Sequence, residues 1–188
     1  MPDQQVVDEA KEVQLLKQAR AGDAQAYGKL YELYAPRVLR FLFAHLDNRL
    51  DAEDLTEEIF LRVWRALPGY REQGVPFGGF LFRVARNMLI DHYRHKRRRQ
   101  PDLDLVEERL EDGQADPAGT LQSDHERWEV HHMLRYLRRD YRTVLDLRFL
   151  ADLSIEEIAI AMGKSPGAVR VLQHRALAAL RKLMAQAE

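Results

Sequence analysis

Ser154-Ile-Glu-Glu-Ile-Ala-Ile-Ala-Met162, then Gly163-Lys164-Ser165-Pro166, then Gly-Ala-Val-Arg-Val-Leu-Gln-His-Arg175, is the stretch from which the fold unfolds outward. Ser154 followed three residues later by Glu157 is a capping box, in which each side chain satisfies the other residue's backbone N–H at a helix start. Ser165 before Pro166 places a good N-cap ahead of a proline at the first helical position, where its missing N–H costs nothing. The spacing predicts helices over 155–162 and 166–184, a helix-turn-helix. Ile155, Ile158, Ala159 and Met162 face a core from the first. On a 100° wheel Ala168, Val169, Leu172, Ala176, Ala179, Leu180 and Leu183 share one face of the second. Arg170, His174 and Arg181 lie opposite, with Gln173, Arg175 and Lys182 to the sides. From Lys164 to Lys182 there are five bases and no acid. Ordinary surface helices mix signs; an apolar anchor backed by a purely basic face suits a helix laid in the major groove.

A second basic helix is expected over 78–97. Phe77, Leu81, Val84, Ala85 and Met88 form its core face. Arg83, Arg86, Tyr93, Arg94 and Arg97 form the far face. Seven bases lie between Arg83 and Arg99 against one acid, Asp91. Cations at a helix C-terminus complement its dipole, but that accounts for two or three of them. Bases with an aromatic among them suit a phosphate backbone and an unstacked base. The helix follows a loop, Pro68 to Pro76, with turn residues at both ends.

The helix expected over 52–67 has a different outer face. Leu55, Ile59, Phe60, Val63 and Leu67 point inward. Asp54, Glu57, Glu58, Leu61 and Arg65 point outward, with Trp64 at the edge. An exposed Leu and Trp beside three carboxylates suit a protein-binding surface. Asp51 is the expected N-cap, followed by carboxylates in the first turn. Further helices are expected over 9–20, 24–46, 126–138 and 141–150. Strand signals are missing, so the fold class is all-α.

The chain has 188 residues, enough for two small domains, and a net charge of −1 that hides segregation. Residues 1–100 carry 17 Lys/Arg and 14 Asp/Glu, net +3; residues 101–126 carry nine acids and one base, net −8; residues 127–188 carry 11 bases and seven acids, net +4. Two basic halves flank an acidic connector that holds Pro101, Gly113, Pro117 and Gly119 and no aromatic residue, a linker composition. The expected organisation is two small helical domains, 1–99 and 126–188, joined by a flexible acidic linker over 100–125. Leu103, Leu105, Val106 and Leu110 give that linker apolar teeth which a pure spacer would not need. Cysteine is absent, which excludes disulfides, thiolate zinc sites and a cysteine nucleophile and fits a cytoplasmic location. No apolar run approaches the ~18 residues of a membrane span, so no direct membrane insertion is expected.

Together these stretches resemble a bacterial RNA polymerase sigma factor of the extracytoplasmic-function (ECF) group. Residues 51–66, Asp-Ala-Glu-Asp-Leu-Thr-Glu-Glu-Ile-Phe-Leu-Arg-Val-Trp-Arg-Ala, are similar to the part of sigma region 2 that docks on the clamp helices of the polymerase β′ subunit. Residues 80–94, Phe-Leu-Phe-Arg-Val-Ala-Arg-Asn-Met-Leu-Ile-Asp-His-Tyr-Arg, are similar to the helix that holds the melted minus-ten element, with Phe80 where the family often has Trp. Residues 154–183 are similar to the minus-thirty-five reader of region 4. The resemblance implies polymerase contacts from Asp54, Glu57, Glu58, Phe60, Leu61 and Trp64. It implies non-template-strand contacts from Tyr70, Arg71, Arg83, Arg86, Asn87, Asp91, Tyr93, Arg94, Arg97 and Arg98. It implies major-groove contacts from Ser165, Arg170, Gln173, His174, Arg175 and Arg181. The implied partners are core RNA polymerase, promoter DNA and an anti-sigma factor that occludes the basic faces. No catalytic site, cofactor or small-molecule substrate is implied.

Two other readings weigh less. A transcription regulator with an N-terminal sensor would need a ligand pocket or phospho-acceptor in residues 1–100, where the basic helix stands instead. An enzyme would need a reactive constellation. His92 with His95, and His131 with His132, are metal pairs in name only, because no third and fourth ligand is evident. No glycine-rich phosphate loop or Ser-His-Asp arrangement stands out.

Overall fold

The computed structural model describes residues 2–46, 48–70, 76–99, 134 and 136–187, with the side chains of 2–9, 97–99 and 187 excepted. Among the described residues seven α-helices follow one another: α1 (Pro2–Arg20), α2 (Ala24–Phe43), α3 (Arg49–Ala66), α4 (Phe77–Arg99), α5 (Arg139–Phe149), α6 (Ile155–Met162) and α7 (Pro166–Ala187). A 3₁₀ turn, Leu67–Gly69, follows α3. Among the described residues there is no strand. The acidic linker over 100–125 and most of the helix expected over 126–138 lie outside the described residues. The last three residues of that expected helix, 136–138, are not helical.

Local chemistry sets most of the helix starts. Asp23 caps α2, accepting from the N–H groups of Gln25 at 2.8 Å and Ala26 at 3.1 Å. The cap of α3 is Asn48 rather than Asp51. Its carbonyl oxygen accepts from the Leu50 N–H at 3.0 Å, and Asp51 sits in the first turn where the dipole still favours it. The capping box of α6 is complete: Ser154 Oγ accepts from Glu157 N–H at 3.2 Å, and Glu157 Oε2 accepts from Ser154 N–H at 2.8 Å. Gly163, at φ 64°, ends α6 in the left-handed region. Ser165 Oγ then accepts from Ala168 N–H at 3.2 Å to open α7.

The apolar faces of these helices meet in one continuous core. Leu30, Val38 and Leu42 of α2 pack with Ala52, Ile59 and Val63 of α3 and with Leu81, Phe82 and Ala85 of α4, all essentially inaccessible. Burying each such Leu, Ile or Phe contributes roughly 1.5–3 kcal/mol. In the C-terminal half Val144 and Leu147 of α5, Ile158 of α6 and Val169 and Ala176 of α7 are buried in the same way. The expected anchor Ala168 is exposed instead. It lies 100° from Val169, at the edge of the arc that α5 and α6 reach.

The two halves pack directly on each other, α4 against α6. Gly78 and Gly79 make this possible. A Cβ on Gly79 would lie 3.0 Å from Ile160 Cβ and 3.2 Å from the Glu157 carbonyl oxygen. This contact widens the buried arc of both helices. Phe82 and Leu89 of α4 and Ala161 of α6 are buried although none of them lies on the core face expected from periodicity.

Candidate polymerase and promoter interfaces

The outer face of α3 joins α2 in an open groove of about 390 Å³, lined by Ala24, Tyr27, Tyr31, Glu57, Phe60, Leu61 and Trp64. Tyr27 and Tyr31 were not singled out by the sequence reading, although their i, i+4 spacing on α2 is a legible aromatic pair. Tyr27 packs against Trp64 with the rings tilted and their centroids 4.6 Å apart, and donates its hydroxyl to the Phe60 backbone carbonyl. Burial pushes the Tyr27 phenol above its ordinary range, so it stays a donor at any physiological pH. Phe60 itself is buried and edge-on to Tyr31 at 4.7 Å, so it is the floor of the groove. Leu61 is 56% exposed, and Asp54, Glu57 and Glu58 are exposed around it. An apolar groove with a carboxylate rim has the chemistry to take an amphipathic helix carrying bases.

On α4, Arg83, Asn87, Asp91 and Arg94 are exposed and Arg86 is half-exposed. Asp91 and Arg94 lie 3.5 Å apart on the surface. Two expected residues sit elsewhere. Tyr70 is buried, with its ring 5.0 Å from Phe80 and 6.3 Å from Phe77, so in this conformation it packs the base of α4. Tyr93 is half-buried and donates its hydroxyl to the backbone carbonyl of His45. Arg71 and the side chains of Arg97 and Arg98 lie outside the described residues.

On α7, Arg170, His174, Arg175 and Arg181 are exposed, and Gln173 is half-exposed. Arg170 reaches back to Glu156 of α6 at 3.5 Å, a surface pair of two half-exposed side chains. Such a pair holds the guanidinium loosely and yields easily to a base edge. Ser165 is occupied as the cap of the helix. Val169 and Ala176 seat the opposite face. Among the described residues no helix is long and apolar enough to cross a membrane, and no three His, Asp or Glu side chains gather where they could hold a metal.

Residues 30–99 match the Sigma-70 region 2 family and residues 127–180 the Sigma-70 region 4 family. The ECF RNA polymerase sigma factor ShbA of Streptomyces griseus is 36% identical over 181 residues, covering 92% of this chain and 94% of ShbA. This chain belongs to the ECF sigma factors. A second ECF relative, BldN of Streptomyces coelicolor, is 33% identical over 180 residues, covering 94% of this chain and 67% of BldN. Among solved structures, the sigma factor RpoE of Bartonella quintana, in complex with the anti-sigma factor NepR, has the same all-helical fold. Its TM-score is 0.68 at 20% identity, covering 86% of this chain and 98% of RpoE. Sigma factors are subunits of RNA polymerase that direct it to promoters and are not themselves catalysts. The sigma factor described here has the two helical regions that this work requires.

Proposed function

We propose that this sigma factor docks on the polymerase β′ clamp helices through the α2–α3 groove, holds the melted minus-ten element on α4 and reads the minus-thirty-five element as duplex with α7. In this reading residues 1–99 and 126–188 are the two working domains and 100–125 the linker. Asp54, Glu57, Glu58, Leu61 and Trp64 make the polymerase contact, with Phe60 as its floor. Arg83, Arg86, Asn87, Asp91, Tyr93, Arg94, Arg97 and Arg98, with Tyr70 and Arg71 at the loop before them, hold the non-template strand. Arg170, Gln173, His174, Arg175 and Arg181 face the major groove, on a helix that Ser165 caps. Melting costs a few kcal/mol per unstacked base, which the basic face of α4 offsets.

The observation that carries the reading is α7: a basic face free of acids, exposed from Arg170 to Arg181, on a helix anchored from behind by Val169 and Ala176. An anti-sigma factor is the regulator this reading expects, as RpoE has NepR. The described basic residues of α4 and α7 stand open to such a partner. Run-off transcription from a two-element promoter, with core polymerase alone and with the added chain, tests the proposal. Promoter-specific transcripts are expected only with the chain. Reversing Asp54 and Glu58 to Lys should weaken polymerase association at unchanged helicity, and undiminished binding by that folded variant removes the docking surface.

A further inference from the structure

The basic face of α7 carries an apolar spot near its N-terminal end. Val171 is 51% exposed, whereas Val169, two residues earlier, is wholly buried. At 100° per residue Val171 lies about 160° from Val169 and about 140° from Ala176, the residues that seat the helix. The core therefore does not account for a valine here. Its neighbours around the helix are His174, about 60° to one side, and Arg175, about 40° to the other, both exposed. Gly167, one turn earlier, lies about 40° from Val171 on the His174 side. It is helical and exposed, and a Cβ placed on it would meet nothing within 4 Å. Its φ is not positive, so no turn demands glycine either. Glycine inside a helix is less stable than alanine, so the fold loses by having it and gains no packing in return. Helical side chains lean toward the N-terminus, which carries Val171 over the turn that holds Gly167. The pair forms a shallow apolar notch, with Gly167 as its floor and Val171 as its wall.

The surroundings of the notch say what fits it. Five bases and no acid lie between Lys164 and Lys182, so the rim suits a polyanion. Glu156 of α6 reaches this face only at Arg170, 3.5 Å away, on the far side of His174 from the notch. A reading helix enters the major groove with its N-terminal turns against the base edges, and both notch residues lie in those turns. Of the four bases only thymine presents a methyl group there, beside its O4 acceptor. We infer that Gly167 and Val171 seat the C5-methyl of one thymine in the upstream element, so that one base pair is chosen by apolar contact where Arg170, His174 and Arg175 choose or hold by hydrogen bonds and charge. The inference rests on the proposed duplex reading by α7 and adds a specificity-determining pair to it. Burying one methyl group is worth about three- to fourfold in affinity.

The test uses the full chain with core polymerase, on a promoter whose upstream block has been selected from random sequence for tightest binding. Each thymine of that block is then replaced, one at a time, by deoxyuridine, which lacks only the C5-methyl. One replacement should weaken wild-type binding by about three- to fourfold, and the others should leave it nearly unchanged. Val171→Ala is a change at an exposed site toward a better helix former, so the variant keeps its fold. It should bind the thymine promoter about as weakly as the wild type binds the deoxyuridine one, and should no longer distinguish the two. Gly167→Ala puts a methyl group into the notch. It should lose the same preference while melting no lower than the wild type, because the added Cβ meets no protein atom. Wild-type indifference to every deoxyuridine overturns the inference. So does a Val171→Ala chain that keeps full sensitivity at the same thymine, or a Gly167→Ala chain that keeps the full preference. Failure of the duplex reading itself looks different: selection then yields no upstream preference at all.

Discussion

His45 stands at the end of α2 with its imidazole mostly buried against charges of α5. Burial pushes its pKa below the ordinary histidine value. Asp146 pulls it back up, and Arg142 and Arg139 push it down again. Tyr93 of α4 donates its hydroxyl to the His45 backbone carbonyl, and the ring of Phe41 lies 4.8 Å from the imidazole. The Nε2 atom lies 3.1 Å from Asp146 Oδ2. The packed state therefore binds fewer protons at this site than a state in which His45 meets water. Its stability is complete above about pH 6.5 and is lost as pH falls below that, by up to about 1.4 kcal/mol per pH unit. Thermal melting of the full chain at pH 8 and pH 5.5 should show this loss, and His45→Gln should reduce the slope. An equal slope in that variant would assign the acid sensitivity to other groups. On the DNA side, Arg170→Ala should cost about 1–3 kcal/mol of discrimination at one base pair of the upstream element. Binding to a set of single-base-pair variants of that duplex measures it, and a uniform loss across the set would make Arg170 a phosphate contact.

At the scale of the element, α6 has eight residues and owes its register to its ends. Ser154→Ala removes one half of the capping box and should cost about 1 kcal/mol. For a chain of this size that is about 2–4 °C in Tm, read by circular dichroism. Much of this was legible in the sequence for a local reason. The caps at Ser154 and Ser165 and the inward row Leu55, Ile59 and Val63 depend on residues within one or two turns of each other, and the structure places them as their spacing predicts. Phe82, Leu89 and Ala161 were not legible because what buries them comes from helices far away in sequence, so that α4 and α6 each carry a second buried side. The burial of Tyr70 was not legible for a related reason. In sequence it belongs to the loop over 68–76, whereas in the fold Phe77 and Phe80 cover it. Asp51 lost the cap of α3 to Asn48, three residues earlier, because either side chain suits the position and local preference cannot choose between them. On the candidate polymerase surface the carboxylates and Leu61 were legible from α3 alone. The groove needed α2, whose Tyr27 and Tyr31 supply its other wall.

For the whole molecule the decisive quantity is reach. The structure packs α4 and α7 within one globule, whereas the proposed two-element reading asks for about 70 Å between them. The halves, 99 and 63 residues long, have radii of gyration of about 13 Å and about 11 Å, so they span roughly 24 Å of that gap. The remainder falls to the segment 100–125, whose 26 residues extend to about 85–94 Å at most and average about 25–31 Å when relaxed. In the proposed two-element reading the promoter-bound state therefore stretches a segment of this length beyond its relaxed average. That ordering costs entropy, which a surface meeting its eight acids or its four apolar residues would offset. Removing residues 104–119 leaves ten, with a reach of about 33–36 Å. Added to the two halves this gives about 60 Å, short of the span required. The shortened chain should melt like the full one and bind the isolated minus-thirty-five duplex equally well. With core polymerase it should lose run-off transcript from a two-element promoter by tenfold or more. Transcription should return as the elements are moved one helical turn closer, since about 35 Å then suffices. Wild-type run-off from the shortened chain on the natural spacing would mean that the linker does not bridge the two readers.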